Sequence, residues 1–333
     1  MIDRPPFLSQ NPPVSSDTLS DVLQAIRLTG AVFFRVAAAG PWVARAPHGK
    51  LVAKAVLPQA QHVFEYHMVS EGECWARVAG EAPLHLRTGD IVVLPHGDGH
   101  TLASDPALEG ELDLAPYEAP RPQGLPFSLR IGEGGQVDSR VVCGFLGCDA
   151  RPFNPLFESL PRLLHVARRD DDTLLAQCIG LAAAESDARR AGGECLLARV
   201  SELMFVQVLR RYLEDLPEHR SGWLAGLRDP QIGRALGLLH GQVARPWTLE
   251  SLSREVGLSR SALAEKFTAL VGRPPMQYLA AWRMQVAANL LRCGDFKVAA
   301  VAQRVGYDSE AAFSRAFKKA TGVPPASWRS TSG

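Results

Sequence analysis

The run from Gly306 to Arg329, GYDSEAAFSRAFKKATGVPPASWR, constrains the fold of this chain more than any other segment. Its regularly spaced apolar residues are Phe313, Ala316, Phe317 and Ala320. That i, i+3, i+4, i+7 spacing places the four side chains on one face of a helix. Ser309 stands where an N-cap is expected, and Gly322 followed by two prolines ends the pattern. The run therefore predicts a short capped helix with a polar, basic outer face.

A second short helix, Val298–Val305, is predicted directly before this run, with Gly306 at the bend. Two short helices joined by a tight glycine turn are typical of a helix-turn-helix. The same pattern also occurs earlier in the chain, as Leu249–Val256, Gly257 and Ser259–Leu270. A helix-favouring stretch, Met276–Arg292, separates the two copies. The sequence therefore predicts two helix-turn-helix motifs held apart by one connector helix.

From Pro230 to Arg329 this layout resembles the AraC/XylS family of bacterial regulators. The resemblance implies a DNA-binding transcription regulator rather than an enzyme. Double-stranded DNA would be its partner, and contact with RNA polymerase is left open. The base-facing residues that it implies are Arg260, Ser261, Ala264 and Glu265 in the first reading helix, and Glu310, Ala311, Ser314 and Arg315 in the second. Lys266, Lys318 and Lys319 would contact phosphates or lie on a solvated face.

The chemistry of these residues suits a major groove. Arg260 and Arg315 can each bridge O6 and N7 of guanine, whereas a glutamate can accept from N4 of cytosine. The segment 229–333 carries 14 Lys and Arg against 7 Asp and Glu, although the whole chain is only +1. Lys and Arg that neutralise phosphates release counterions, so we expect DNA affinity to fall steeply with salt.

A chain of 333 residues with 46% apolar and 21% charged residues is expected to be globular and to form more than one domain. The expected domains are a cupin-like sensor (1–150), a helical dimerisation segment (151–228) and the DNA-binding domain (229–333). A linker is expected within Glu214–Asp229. No membrane-spanning run or secretory leader is recognised, which predicts a cytoplasmic, nucleoid-associated protein.

The first half is rich in short β-branched and aromatic runs separated by turn residues, which predict a barrel or jelly roll. The predicted strands are Ala31–Val36, Leu51–Leu57, Val63–Val69, Cys74–Val78, Ile91–Leu94 and Arg140–Phe145. Gly89-x5-Pro95-x-Gly97-x2-His100 resembles the second cupin motif, and Glu65-x6-Gly72 keeps half of the first. We therefore expect an α+β protein, a cupin-like β-barrel followed by an all-α domain.

The paired histidines of the first cupin motif fall on Gln59 and Gln61. His67 lies two residues beyond Glu65 on the same predicted strand face, and His62 or His96 could also complete a site. We expect no cofactor, but a divalent metal held by Glu65, His67 and His100 is left open beside a packed barrel of hydrogen-bonded histidines. The candidate effector pocket comprises Glu65, His67, His100 and Cys143. A metal-dependent cupin oxygenase or isomerase with a DNA-binding tail is the alternative function.

Two features leave alternatives open. The six cysteines are scattered, so burial is expected for most of them. Cys143 and Cys148 suggest a redox switch if Gly144 and Gly147 form a turn that brings the two thiols together. Helices are predicted over Asp172–Arg189 and Glu194–Leu213. The second carries an apolar stripe at Leu196, Leu197, Val200, Leu203, Met204 and Leu213, which predicts a homodimer seam or packing on the chain's own barrel. The expected signal is a small molecule or a redox change.

Overall fold

The computed structural model describes residues 17–118, 126–148, 151–188, 190–217, 221–293 and 296–330. The chain forms two compact units, and both are discontinuous in sequence. The strand unit comprises residues 26–150 and 156–218. The helical unit comprises the residues up to 25, residues 151–155 and residues 219–333. Most of the helical segment expected at 151–228 thus belongs with the strands.

The strand unit contains two sheets. The larger has the order β10 (Leu164–Val166), β6 (Ile91–Leu94), β3 (His62–Glu71), β9 (Ser139–Cys148), β1 (Thr29–Ala38) and β8 (Phe127–Ile131). The smaller has the order β2 (Val43–Ala46), β7 (His100–Ala103), β4 (Glu73–Val78) and β5 (Leu84–Arg87). Within the described residues no strand pairing joins the two sheets. Of the predicted barrel or jelly roll, the structure thus forms the jelly-roll type, with two layers held together by side-chain packing.

Five helices accompany these strands: α2 (Gly49–Val56), α3 (Ala115–Glu118), α4 (Pro155–Ser159), α5 (Thr173–Ala188) and α6 (Gly193–Asp215). Helix α6 packs on the outer face of the larger sheet. The Tyr66 hydroxyl lies 2.6 Å from Ser201 Oγ, and the rings of Phe64 and Phe205 are 5.2 Å apart. Both faces of β3 are consequently covered, so it is buried continuously from Val63 to Val69 instead of alternating.

The predicted strand Leu51–Leu57 is wrong, because these residues lie in or directly after α2. Val52 and Val56 are both buried and stand one helical turn apart. The side chain of His48 caps the helix by accepting a hydrogen bond from the backbone N–H of Lys50. A short β-branched run fits a strand and a buried helix equally well, and here the cap and the one-turn spacing decide for the helix.

The helical unit contains α1 (Thr18–Ala25), α7 (Trp223–Arg228), α8 (Pro230–Gly241), α9 (Leu249–Val256), α10 (Arg260–Val271), α11 (Pro275–Cys293), α12 (Val298–Arg304), α13 (Glu310–Thr321) and α14 (Pro325–Ser330). The helices predicted for both helix-turn-helix motifs and for their connector are confirmed to within one residue at each end. Helix α7 occupies part of the predicted linker, and α14 occupies the predicted closing turn. No helix in the described ranges is long and apolar enough to cross a bilayer.

Connector helix α11 belongs to two cores. Tyr278 and Trp282, near its start, pack around His240 of α8. Met284 and Leu291, further along, pack in a cluster with the buried aromatic residues of α13. One rigid helix of 19 residues thus supports both motifs.

Candidate functional site

The first helix-turn-helix motif consists of α9 and α10. The Thr248 and Ser251 side chains form a capping box at the start of α9, and Gly257 makes the turn with a φ of 72°. Ser259 caps α10 by accepting from the N–H of Ala262. Leu263 and Phe267 are fully buried, so the opposite face of α10 is directed outward.

The second motif, α12 and α13, repeats this design with different details. Gly306 makes the turn with a φ of 77°, and the Ser309 side chain caps α13. Phe313 and Phe317 are fully buried at the positions equivalent to Leu263 and Phe267. Unlike α9, α12 begins without a side-chain cap.

Most of the predicted DNA-binding side chains lie on these outward faces. The exposed ones are Arg260, Ser261, Glu265, Glu310, Ala311, Arg315, Lys318 and Lys319, whereas Ala264, Lys266 and Ser314 are half-buried. The two faces differ in charge. Helix α10 combines Arg260 and Lys266 with Glu265, whereas α13 combines Arg315, Lys318 and Lys319 with Glu310. The second face is therefore the more basic.

Lys266 is engaged inside its own unit. Its ammonium lies 2.8 Å from Asp229 Oδ2 and donates to Gln231 Oε1 at 2.9 Å. Asp229 also caps α8 through the N–H groups of Gln231 and Ile232. No local pattern predicts this pair, although Asp229 before Pro230 is a recognisable N-cap signal. Lys266 thus joins α10 to the start of α8.

A buried polar network lies beneath the first motif. The Trp223 indole donates to the Tyr278 hydroxyl at 2.7 Å, and that hydroxyl lies 2.7 Å from His240 Nε2. Burial lowers the pKa of His240 to about 3. Because the imidazole is therefore neutral and the Tyr278 oxygen already accepts from Trp223, the Tyr278 hydroxyl is assigned as the donor to Nε2. The His240 ring also stacks on Trp282 at 4.0 Å.

Two distant segments dock on the connector helix. Gln285 is fully buried, and its Oε1 accepts from the backbone N–H of Phe153 at 3.1 Å. The carbonyl of Ala25 accepts from the side-chain amides of Gln285 and Asn289. The Phe153 ring packs edge-on against Tyr278. No local sequence pattern marks these contacts, because each joins residues more than a hundred positions apart.

A compact cluster of titratable groups lies between the two sheets of the strand unit. His67 Nε2 and His100 Nε2 are 2.5 Å apart, and Glu65 Oε2 lies 3.7 Å from each. Glu65 and His67 come from β3, whereas His100 comes from β7. All three are at most 4% exposed. Cys143 of β9 lies directly opposite His67 in the strand register.

Burial controls the protonation of this cluster. It raises the pKa of the Glu65 carboxyl well above its ordinary value. It lowers the pKa of the His67 imidazole, which His100 lowers further, and it lowers the pKa of His100 to about 4. The two imidazoles are consequently neutral near pH 7, and burial favours the protonated form of the Glu65 carboxyl.

The cluster passes a chemical test for holding a metal ion. Glu65 Oε1 is buried without a hydrogen-bond partner in the described structure, and Nε2 of both His67 and His100 lies within 3.7 Å of Glu65 Oε2. The other histidines considered from sequence point elsewhere, since His62 Nε2 lies 2.6 Å from the carbonyl of Pro95, and His96 Nε2 lies 3.0 Å from that of Leu160. Gln59 and Gln61 are exposed. Among the histidines considered, His67 is therefore the one that completes a candidate set of metal ligands with Glu65 and His100.

The proposed turn between Cys143 and Cys148 does not form. Strand β9 runs unbroken from Ser139 to Cys148 and pairs on both sides. Residues five apart on an extended strand are about 16 Å apart, far beyond disulfide reach. Both cysteine side chains are buried. An intrastrand bond between them is thus excluded in this fold.

The predicted apolar stripe of α6 is divided. Leu197, Val200 and Met204 are buried, as expected for packing within the chain. Leu196 and Leu203 remain 39% and 42% exposed. Leu174 and Leu181 on the neighbouring α5 are similarly exposed. Each of the two helices thus exposes a pair of leucines seven residues apart, on one face of that helix.

Comparisons with known proteins match both halves of the chain. Residues 17–214 match the sequence profile of a cupin family, and residues 252–331 match that of a helix-turn-helix domain. An AraC-like transcription regulator of Streptomyces lividans is 34% identical over 324 residues, covering 94% of this chain and 98% of that protein. One of Streptomyces antibioticus is 32% identical over 321 residues, with the same coverage. The solved DNA-binding domain of AdpA in complex with a target DNA is 29% identical and covers 31% of this chain and 92% of its own, with a TM-score of 0.30.

Proposed function

Because this chain belongs to the AraC-like transcription regulators, which join a cupin domain to a helix-turn-helix domain, we propose how it reads DNA: α10 and α13 enter two successive major grooves. The observation that carries this proposal is the pair of capped helices on one connector, each burying one face and exposing the other. Successive grooves on one side of B-DNA recur about every 34 Å. The connector, about 28 Å long, suits that separation.

Within this arrangement, the base contacts fall to Arg260, Ser261, Ala264 and Glu265 of α10 and to Glu310, Ala311, Ser314 and Arg315 of α13. The two arginines are the strongest donors and would read guanine, whereas Glu265 and Glu310 would accept from cytosine. Lys318 and Lys319 would contact phosphates. Lys266, already paired with Asp229, would position α10 instead.

Selection of bound sequences from a random DNA pool tests this reading. We expect two recognised segments centred about 10 base pairs apart for each protein chain. Phe317→Ala serves as a control for unfolding, since it truncates a buried aromatic residue behind the reading face. A single recognised segment, insensitive to changes one helical turn away, would contradict reading by both helices.

We further propose that the protein is a homodimer joined through the exposed leucines of α5 and α6. Exposed large apolar side chains that cluster on one surface favour a protein partner. The double substitution Leu196→Glu and Leu203→Glu should shift the sedimenting species from dimer to monomer. Leu51→Glu is the matched control, because Leu51 is 64% exposed on α2, outside this surface. Equal sedimentation of wild type and double variant would rule the surface out.

The strand unit is proposed as the sensor of a small-molecule or redox signal, with Glu65, His67, His100 and Cys143 as the candidate contact residues. The sensor would act on transcription at the nucleoid, through the bound DNA and through contact with RNA polymerase. We infer that the chain is not an enzyme, because the relatives that match it over nearly its whole length are transcription regulators.

A further inference from the structure

We propose that Glu65, His67 and His100 bind one divalent transition-metal ion that ties together the two sheets of the strand unit. The site lies inside the strand unit and is independent of the DNA-reading proposal. His100 lies at the histidine position of the second cupin motif. His67 does not belong to the first motif, whose paired histidines are replaced by Gln59 and Gln61, and both glutamines are exposed.

The distances within the cluster fit coordination. The three donor atoms form a triangle with sides of 2.5, 3.7 and 3.7 Å. The point equidistant from all three lies about 2 Å from each of them. Metal–nitrogen and metal–carboxylate bonds have this length, about 2.0 to 2.2 Å. A separation of 2.5 Å is also shorter than an ordinary hydrogen bond between two ring nitrogens. Convergence on one centre accounts for all three contacts together.

The tautomer of one histidine is already set for binding. His100 Nδ1 lies 3.0 Å from the carbonyl oxygen of Asp98, to which it donates its proton. The lone pair of His100 Nε2 is then directed at His67 and Glu65. Histidine ligands of metal ions are commonly oriented by this kind of hydrogen bond to a backbone carbonyl.

An unpartnered carboxylate oxygen supports the same conclusion. Glu65 Oε1 is buried and makes no hydrogen bond with the described residues. A carboxylate removed from water is costly unless it is paired or coordinates a metal. A cation bound by the Glu65 carboxylate would supply that compensation.

The donor set selects the class of ion. Two imidazoles and one carboxylate suit Zn²⁺, Fe²⁺ or Co²⁺, whereas Mg²⁺ and Ca²⁺ prefer oxygen ligands. The donors come from β3 of the larger sheet and β7 of the smaller one. An ion here would link two layers that no described backbone pairing joins.

The full-length protein, stripped by a chelator, tests the site when it is titrated with Zn²⁺, Co²⁺ and Mg²⁺ separately. We expect one Zn²⁺ or Co²⁺ per chain, visible absorption bands from bound Co²⁺ and a rise in melting temperature, with none of these for Mg²⁺. Failure of Zn²⁺ and Co²⁺ to bind at one per chain overturns the proposal. Equal binding of Mg²⁺ overturns the donor assignment.

Substitutions then locate the ion. Glu65→Gln, His67→Gln and His100→Gln should each weaken Co²⁺ binding by at least about tenfold, the loss seen even for residues behind metal ligands. His85→Gln is the matched control, because His85 forms a partly exposed pair with Glu73 outside the cluster. Unchanged affinity in all three cluster variants, or an equal loss in the control, refutes the location. If a cluster variant does not fold, the absorption spectrum of Co²⁺ bound to the wild-type protein tests the location instead. A spectrum that does not indicate nitrogen and oxygen ligands counts against the site.

Discussion

The two helix-turn-helix motifs expose similar helix faces, but the cores that support these faces are built differently. The first rests on a core that includes polar contacts, with His240 and Tyr278 hydrogen-bonded below it and Lys266 paired with Asp229 at its side. The second rests on aliphatic and aromatic packing around Phe313 and Phe317. The same outward geometry can thus be maintained by directional polar contacts or by close apolar packing, and the two solutions should respond differently to mutation, pH and salt.

The difference extends to the charges. In α10 the lysine is used to hold the helix in place, whereas Lys318 and Lys319 of α13 make no ion pair with any described residue. In the proposed complex with DNA, the first motif would therefore contribute position and the second would contribute most of the positive charge available to phosphates.

The turn glycines give the sharpest contrast in stability. Both have a left-handed φ, which costs another residue about 1 to 2 kcal/mol. A Cβ on Gly306 would in addition lie 2.6 Å from the backbone oxygen of Ala244, whereas nothing lies within 4 Å of one on Gly257. Overpacking adds about 1 to 3 kcal/mol. Gly306→Ala should therefore lower the free energy of unfolding by about 3 kcal/mol in urea, clearly more than Gly257→Ala, and equal losses would contradict the contrast.

Base reading should separate the two motifs by position. Arg315→Ala is expected to weaken cognate binding by about 1 to 3 kcal/mol and to relax preference at one base pair. Arg260→Ala should relax a different base pair, about one helical turn away. Binding-site selection with each variant measures both effects. If either variant loses cognate and random DNA equally, that arginine acts on phosphates instead.

Acid should weaken the core beneath the first motif in particular. The folded-state pKa of His240, about 3, is below its unfolded value of 6.5, so the unfolded chain takes up the proton first as pH falls. Its contribution is fully present above pH 6.5 and is lost progressively towards pH 3. By pH 5.5 the loss is about 1.4 kcal/mol. Urea unfolding followed by tryptophan fluorescence measures it, because Trp223 and Trp282 flank the ring, and His240→Gln should flatten that part of the pH dependence.

The smallest expected effect concerns salt. Lys318→Ala and Lys319→Ala should each reduce the slope of log affinity against log salt by about 1, because each phosphate contact releases counterions. Lys266→Ala should leave that slope unchanged and lower stability by a few tenths of a kcal/mol, roughly the value of a partly exposed ion pair. DNA titrations at several salt concentrations make the comparison. A reduced slope for Lys266→Ala would show that its ammonium reaches DNA.

Local signals explain which parts of this fold could be predicted. The cap at Ser309, the turn glycines and the helical spacing of apolar residues all act within a few positions, and they predicted the helices of both motifs. The same reasoning failed at Leu51–Leu57, where β-branched residues suit either structure. It also left a barrel and a jelly roll undistinguished, because strand patterns indicate which face is buried but not which edges pair.

The candidate sites divide in the same way. Spacing on one strand placed Glu65 beside His67, and a motif added His100, so this grouping could be made from sequence. The internal pairing of Lys266 could not, because a lysine's partner depends on the tertiary fold. Gln285 gave no signal at all, since its partners lie on segments far away along the chain.

The contacts of Gln285 have a practical consequence for exchanging parts between relatives. The compact body that reads DNA is assembled from three separate stretches, so its boundaries in space do not coincide with a single cut in the gene. A hybrid joined at residue 219 would keep the amide of Gln285 but inherit foreign residues opposite it. Transplanting residues 17–25 and 151–155 together with the C-terminal part would preserve the native partners. Successful hybrids of these proteins should therefore be mosaics with several junctions.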